Sequence, residues 1–334
     1  MKIAVDAMGG DKAPDEIVRG AVRAVNCLQD ELLKILLVGR EQDIKKCLDS
    51  GDSYPEERVK IIGANEVIGM NDAPSRALKK KKDSSIVVGC KMVGEEEADA
   101  FISAGNTGAV MASGLFNTGR LAGIKRPSIA TVFPARRGET LLLDAGANAD
   151  CKPENLLQFA VMGQIYAREV LDKKNPRLGL LSIGEEKKKG NKLTVETHEL
   201  LLQDQRIENF IGNVEGRDIF TDICDIIICD GFVGNVVLKT TEGVASFVMD
   251  IFKDVLTRNL FTKIGALFIK SYLKEEMKKV DYKQYGGAPL LGLKGNVIIS
   301  HGSSDATAIF NAVKSARKTV LSGIPALIAE DINN

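Results

Sequence analysis

The sequence predicts an α/β protein built on a largely parallel, doubly wound sheet. Two observations carry that expectation. Short apolar runs rich in β-branched residues alternate with longer amphipathic stretches, the rhythm of strand, helix, strand. The runs are also apolar throughout, rather than alternately apolar and polar, as strands covered on both faces must be.

Taken in order, the strand runs are residues 2–6 (KIAVD), 34–38 (KILLV), 59–62, 86–88, 100–103, 141–144, 178–183, 225–229 and 296–300. Amphipathic helical stretches fall between them at 15–28, 153–171 and 305–321. Residues 129–133 and 140–144 flank Ala135-Arg136-Arg137-Gly138, which predicts a β-hairpin in place of a crossover; an arm for a partner subunit is one use for it. Residues 242–282 contain no strand run. There Leu256, Leu260, Ile264, Leu267, Phe268 and Tyr272 recur at helical spacing, flanked by Lys253, Arg258, Lys263, Lys270, Lys274, Lys278 and Lys279. That pattern predicts a helical protrusion, either one helix or two joined near Gly265. The 334 residues read as a single α/β domain, with two lobes around a cleft as a variant of it.

Composition narrows the function. Lys+Arg and Asp+Glu are both 45, so no global field draws the chain to nucleic acid. Aromatic residues make up 5% and Trp is absent, poor material for stacking bases. The six cysteines form no C-x-x-C pair and read as reduced thiols, and two histidines are too few for a His-rich metal site. No nucleotide cofactor is expected either. In 184–191 (GEEKKKGN) the lysines precede the second glycine, the wrong order for a phosphate-cradling Walker loop, and no G-x-G-x-x-G comes after the first strand. Neither a G-x-S-x-G elbow nor H-E-x-x-H occurs. The apolar start is too short for a signal peptide and no run reaches about eighteen apolar residues, so a cytoplasmic protein is expected.

The informative feature is the loop at the end of each strand. Asp6 leads into Ala7-Met8-Gly9-Gly10-Asp11, and Ser103 into Ala104-Gly105-Asn106-Thr107-Gly108. Asp144 leads into Ala145-Gly146-Ala147-Asn148, and Ile183 into Gly184-Glu185-Glu186. Cys229 leads into Asp230-Gly231-Phe232-Val233-Gly234-Asn235, and Ser300 into His301-Gly302-Ser303-Ser304-Asp305. Ligands of open α/β sheets bind outside the carboxyl ends of strands. Glycine lets backbone approach a ligand, and the helix starts beyond these loops offer N–H groups to an anion. Any one of these loops equally suits a plain turn and N-cap. Six of them with no apolar loop among them predict an anion site. His198 reads as solvated in a polar helix over 194–203; His301, at a strand end, reads as functional.

These loops also carry a resemblance. The start MKIAVDAMGGDKAP, ISAGNTGA at 102–109, LLLDAGAN at 141–148 and GEEKKKGN at 184–191 resemble the PlsX-type phosphate acyltransferases. CDGFVGNVVLKTTEG at 229–243, YGGAPLLGLKG at 285–295 and ISHGSSD at 299–305 continue the likeness in the same order along nearly the whole chain. The resemblance implies a fold like that of isopropylmalate dehydrogenases and phosphotransacetylases. It implies transfer of a fatty acyl group from acyl carrier protein to inorganic phosphate, giving acyl phosphate for phospholipid synthesis. A homodimer associated peripherally with membranes is implied too.

Such a reaction needs no protein nucleophile, because phosphate attacks the thioester itself. It needs positioning and stabilisation of the oxyanion. Lys189, beside Gly190 and Asn191, is the expected cation, with Lys187 and Lys188 turned to solvent. His301, with Gly302, Ser303 and Ser304, is expected to orient phosphate or protonate the departing sulfur. Asn106, Thr107, Asn148 and Asn235 are donors at strand ends, with Gly9, Gly10 and Gly231 beside them. Asp6, Asp144 and Asp230 would repel phosphate, so they anchor loops or orient Lys189 and His301. Three uses stay open for 242–282: packing or dimer contacts; an anionic bilayer met through Leu260, Ile264, Leu267 and Phe268; and docking of an acidic carrier protein, for which Lys79, Lys80, Lys81 and Lys82 also serve. Rival functions are an acyltransferase using acyl-CoA and a non-catalytic scaffold at the membrane surface.

Overall fold

The structure is a computed structural model that describes residues 1–28, 30–280 and 286–333. Residues 281 and 282 of the expected protrusion and Tyr285 lie outside the described residues, as do the side chains of Lys270, Lys274, Lys278 and Lys279. The strands are β1 (Lys2–Asp6), β2 (Lys34–Gly39), β3 (Val59–Gly63), β4 (Ala100–Ser103), β5 (Ser128–Ala135), β6 (Gly138–Leu143), β7 (Leu178–Leu181), β8 (Phe210–Val214), β9 (Ile226–Ile228), β10 (Ala288–Leu291) and β11 (Asn296–Ile299). The helices are α1 (Asp15–Cys27), α2 (Glu41–Asp49), α3 (Pro74–Lys80), α4 (Ser85–Gly94), α5 (Thr107–Ser113), α6 (Pro153–Glu169), α7 (Lys192–Gln203), α8 (Gly231–Thr257), α9 (Leu260–Val280), α10 (Ala306–Leu321) and α11 (Ile324–Asn333).

Among the described residues the strands join one 11-stranded sheet in the order β3-β2-β1-β4-β11-β10-β5-β6-β9-β7-β8. The first five positions run parallel. Antiparallel pairings come next, between β11 and β10, β10 and β5, and β5 and β6. After these reversals the parallel set β6-β9-β7-β8 runs opposite to the first five strands.

The continuous apolar runs have the expected cause. In the first half Ile3, Val5, Ile35, Leu37, Ile102 and Ile298 point to one face, where Ile17, Val18 and Ala21 of α1 and Ile309, Ala312 and Val313 of α10 cover them. Their chain neighbours Ala4, Leu36, Val38, Phe101 and Val297 point to the other, under Ile86 and Cys90 of α4 and Val110 of α5. The second half repeats the scheme, with Leu141, Leu143, Ile226 and Ile228 packed against α6 and α11. On its opposite face Leu142, Leu181 and Ile227 meet Val233 and Val237 of α8. Truncating one of these large buried side chains to Ala costs about 2–5 kcal/mol.

Several expectations need correcting. Residues 86–88 are the first turn of α4, not a strand: Ile86, Cys90 and Val93 recur on one buried helical face, with Gly89 against the ring of Phe101. Strands β8 and β10 were not anticipated. The β5–β6 hairpin forms as expected and is rooted in the sheet, where β5 pairs with β10 through 128–129 and β6 with β9 through 141–143, while 133–135 and 138–140 pair in register with each other. The helical protrusion breaks at 258–259 rather than at Gly265, which lies inside α9. A reciprocal cap makes the break: Asn259 Oδ1 accepts from the Thr262 N–H (2.9 Å) while the Asn259 N–H donates to Thr262 Oγ1 (3.0 Å). His198 is buried, not solvated. Its Nδ1 meets Asn213 Oδ1 at 2.9 Å and its ring lies edge-on to Phe210, both on the unanticipated β8.

Candidate active site

The two halves meet over the antiparallel centre of the sheet, and a cleft of about 190 Å³ opens there. Its floor is Ile129, Thr131 and Val132 of β5, Ala288 of β10 and Ile299 of β11. The first half contributes Thr107, Ser300, His301 and Ser304; the second contributes Ala145, Gly146 and one face of α8, namely Asn235, Leu238, Lys239 and Glu242.

Buried carboxylates brace the loops on either side. Asp6 accepts from the Met8 N–H (3.1 Å) and from Ser103 Oγ (2.6 Å), and Ser103 Oγ in turn accepts from the Gly105 N–H. This ties the loop after β1 to the loop after β4. Gly9 packs against the Asp6 carboxylate, and Gly10 adopts a φ of 104° that side chains resist. The Gly302 carbonyl accepts from the Asp11 N–H at 2.8 Å, drawing in the loop after β11. In the second half Asp144 accepts from the N–H groups of Ile129, Gly146, Ala147 and Asn148 and from Asn148 Nδ2. Burial pushes both the Asp6 and Asp144 carboxyls up from their ordinary values, against these donors. Both therefore anchor loops, one of the two roles expected of them.

Most of the predicted amide and acid residues serve the backbone. Asn106 caps α5 through the Ala109 N–H, and its Nδ2 donates to the carbonyls of Met70 and Asp72 at 3.0 Å. Asn191 caps α7 and Asp230 caps α8, through the N–H groups of Thr194 and Val233. Asp305 caps α10, whose Ala306 N–H is taken by Glu16. Each of these side chains takes the third N–H of its helix start, and at α10 Glu16 takes the first as well. Asn148 bridges Pro127 and Asp144, and the Gly231 N–H donates to its carbonyl.

Of the predicted site, the cleft brings together Thr107, Asn235, His301 and Ser304. Lys189 is not among its lining; it is exposed on the loop after β7, at the same sheet edge as the loops after β6 and β9. The lysine that does line the cleft is Lys239. His301 Nδ1 accepts from the Ser303 N–H (3.2 Å) and faces Ser303 Oγ at 2.8 Å, which assigns the neutral ring's proton to Nε2. Nε2 lies 3.7 Å from Glu242 Oε2, and the same oxygen accepts from Lys239 Nζ at 2.8 Å. Burial works against the charge on Glu242, yet His301 and Lys239 hold its carboxyl below the ordinary carboxylate value. Ser300 Oγ is buried at the cleft with no hydrogen-bond partner among the described residues.

Lys239 and Glu242 escape any search confined to loops, and Ser300 is read in the sequence only as the last residue of its strand run. The available signal was helical: Asn235, Leu238, Lys239 and Glu242 share one face of α8.

At about 190 Å³ the cleft is smaller than the usual pocket for a drug-sized ligand, about 300–1,000 Å³, and suits a small anion with the reacting end of a longer chain. Basic and hydroxyl groups beside an apolar floor mark the class as α/β proteins that seat a small polar group next to an apolar one. The fold is similar to a phosphotransacetylase from Streptococcus pyogenes (TM-score 0.65, 18% identity, 96% of this chain and 94% of that chain). It is also similar to a branched-chain phosphotransacylase from Enterococcus faecalis V583 (TM-score 0.56, 14% identity, 96% and 99%). At those identities the likeness is one of fold alone. A family model described as "Fatty acid synthesis protein" matches residues 1–327. The chain is 60% identical over 333 residues to a phosphate acyltransferase of Halothermothrix orenii, covering 100% of this chain and 99% of that one. It is 48% identical over 334 residues to a phosphate acyltransferase of Thermoanaerobacter pseudethanolicus, covering 100% and 98%. The chain belongs to the PlsX-type phosphate acyltransferase family.

Proposed function

We propose that the chain transfers a fatty acyl group from acyl carrier protein to inorganic phosphate, releasing the carrier thiol and an acyl phosphate for phospholipid synthesis. The observation that carries this reading is the composition of the cleft, with Lys239, His301, Ser300 and Ser304 facing an apolar floor of Ile129, Val132, Ala288 and Ile299. Lys239 and the two hydroxyls hold phosphate while the apolar floor holds the acyl end. A phosphate oxygen attacks the thioester carbonyl directly, the C–S bond breaks, and His301, as imidazolium, donates its Nε2 proton to the departing sulfur and is reprotonated by the proton that phosphate gives up on becoming acyl phosphate. A thiol of pKa about 8.5 leaves readily, so the larger task is orientation and stabilisation of the oxyanion. Lys189, exposed on the loop after β7, acts on the developing charge or on the acidic carrier. No metal or nucleotide enters this scheme.

The reading includes a homodimer at a membrane surface on the cytoplasmic side. Its support is the α8–α9 protrusion, where Phe261 is 86% and Phe268 78% exposed, beside Leu260, Ile264 and Leu267. Lys253, Arg258 and Lys263 flank them. Among the described residues no helix is long and apolar enough to cross a membrane. The test is phosphate-dependent release of carrier thiol from a long-chain acyl carrier protein, with acyl phosphate trapped as hydroxamate. Release from acyl-CoA and not from the acyl carrier would transfer the reading to the CoA thioester. Release from neither would favour the scaffold.

A further inference from the structure

We propose that Glu242 selects the anion by its proton. Its carboxylate accepts the O–H that phosphate carries at neutral pH, and so turns away fully ionised oxyanions of the same shape, sulfate above all. The inference rests on phosphate being the acceptor, as proposed above.

Glu242 lines the cleft with Lys239 and His301, and these are its only charged or titratable lining groups among the described residues. Both basic partners are drawn to one oxygen: Oε2 accepts from Lys239 Nζ at 2.8 Å and faces His301 Nε2 at 3.7 Å. Among the described residues Oε1 makes no hydrogen bond. An ionised carboxylate can only accept, so Oε1 offers a lone pair to whatever enters. A site meant only to attract anions gains nothing from a carboxylate beside its lysine, because that charge offsets the attraction. The same carboxylate makes sense as a filter. Either form of phosphate present at neutral pH keeps at least one O–H to donate to Oε1. Sulfate keeps none and sets lone pair against lone pair, in a half-buried setting where such repulsion is weakly screened. Lys239, Ser300 and Ser304 remain as donors for the other oxygens.

The test is calorimetric titration of the full chain with inorganic phosphate and with sulfate, at constant ionic strength, alongside sulfate inhibition of phosphate-dependent thiol release. A charge-assisted hydrogen bond present for one anion and absent for the other predicts a preference of about thirtyfold for phosphate. In Glu242→Gln the amide offers sulfate a donor, so sulfate should bind at least about tenfold tighter and the preference fall to within about threefold. Glu242→Asp keeps the acceptor and should keep the order of preference. The proposal is overturned if Glu242→Gln retains the wild-type preference, if it weakens both anions equally, or if the wild-type chain does not discriminate. Because the thiol assay reports phosphate use on its own, loss of the acceptor assignment is recognised separately from loss of the filter.

Discussion

The α-carbon of Gly234 rests against the carbonyl oxygen of Asp144, so closely that a β-carbon at 234 would overlap that oxygen. Gly231 stands in a similar relation to Asn148, where a β-carbon would lie 2.7 Å from backbone N and O. The start of α8 therefore lies on the 144–148 loop nearer than a residue with a side chain allows. Asn235, Lys239 and Glu242 come next on the cleft face, so this contact sets their positions. Gly234→Ala should destabilise the chain by about 2–3 kcal/mol through overpacking, read as a shift in urea midpoint. The folded remainder should lose about tenfold to a hundredfold in turnover, because α8 moves relative to His301. Wild-type stability and turnover would mean that the helix start is free to slide.

The two lysines are separable by kinetics. Lys239 lines the cleft and Lys189 lies outside its lining, on the loop after β7, so their losses should fall on different parameters. Lys239→Ala should lower kcat/KM for phosphate by about a hundredfold, the value of a charge-assisted hydrogen bond of about 2–3 kcal/mol. Lys189→Ala should lower kcat or the acyl-carrier kcat/KM by about tenfold while phosphate KM stays within about threefold. Near-normal turnover in Lys189→Ala would remove Lys189 from the scheme. A large rise in phosphate KM in that variant would instead put the anion under the 184–191 loop.

Strands such as β1 and β4 are legible in the sequence because burial on both faces leaves an unbroken apolar run. β8 is not, since only Asn213 and Val214 of Phe-Ile-Gly-Asn-Val are fully buried and its glycine and asparagine mimic a turn. Missing β8 hid the surface that buries His198. β10 carries Pro289, a residue that argues against a strand, and with it went the antiparallel centre that forms the cleft floor. Asn106, Asn191 and Asp230 look the same in sequence whether they cap a helix or hold a ligand, and only their partners decide. Lys239 and Glu242 belong to a helix that reads as ordinary until His301 is seen across from it.

Asp225 gives a pH prediction with a definite sign. Burial opposes its ionisation, yet Arg177, bonded through Nε at 3.0 Å and its backbone N–H at 2.9 Å, and Lys173 at 3.4 Å hold its carboxyl below the ordinary value. A lowered folded value gives stability that is complete above the unfolded value of about 3.9 and is lost as pH falls through the folded one. Asp225→Asn keeps an acceptor for the backbone N–H and removes only the charge. It should cost about 1 kcal/mol at pH 7, a modest figure because Arg177 is well exposed, and the gap to wild type should close below about pH 4. Urea unfolding at a series of pH values reads this directly. A gap that widens in acid would mean that the pair does not stabilise the fold through its charge.

The exposed stripe of the α8–α9 protrusion asks what covers it. Leu267 is 71% and Phe268 78% exposed, a cost in water that a bilayer or a second copy of the chain would remove. Burying two such side chains in lipid contributes about 3–5 kcal/mol, and aspartates there would add repulsion from anionic headgroups. Leu267→Asp with Phe268→Asp should therefore weaken binding to anionic vesicles by more than about a hundredfold, measured by co-flotation. Turnover on a short-chain acyl carrier in solution should stay within about twofold, because the cleft residues Lys239 and Glu242 stand near the start of α8, before the apolar stripe of α9. Sedimentation of the same variant separates the two coverings. A dimer that persists while vesicle binding is lost assigns the stripe to the membrane; a monomer that still binds vesicles assigns it to the partner subunit.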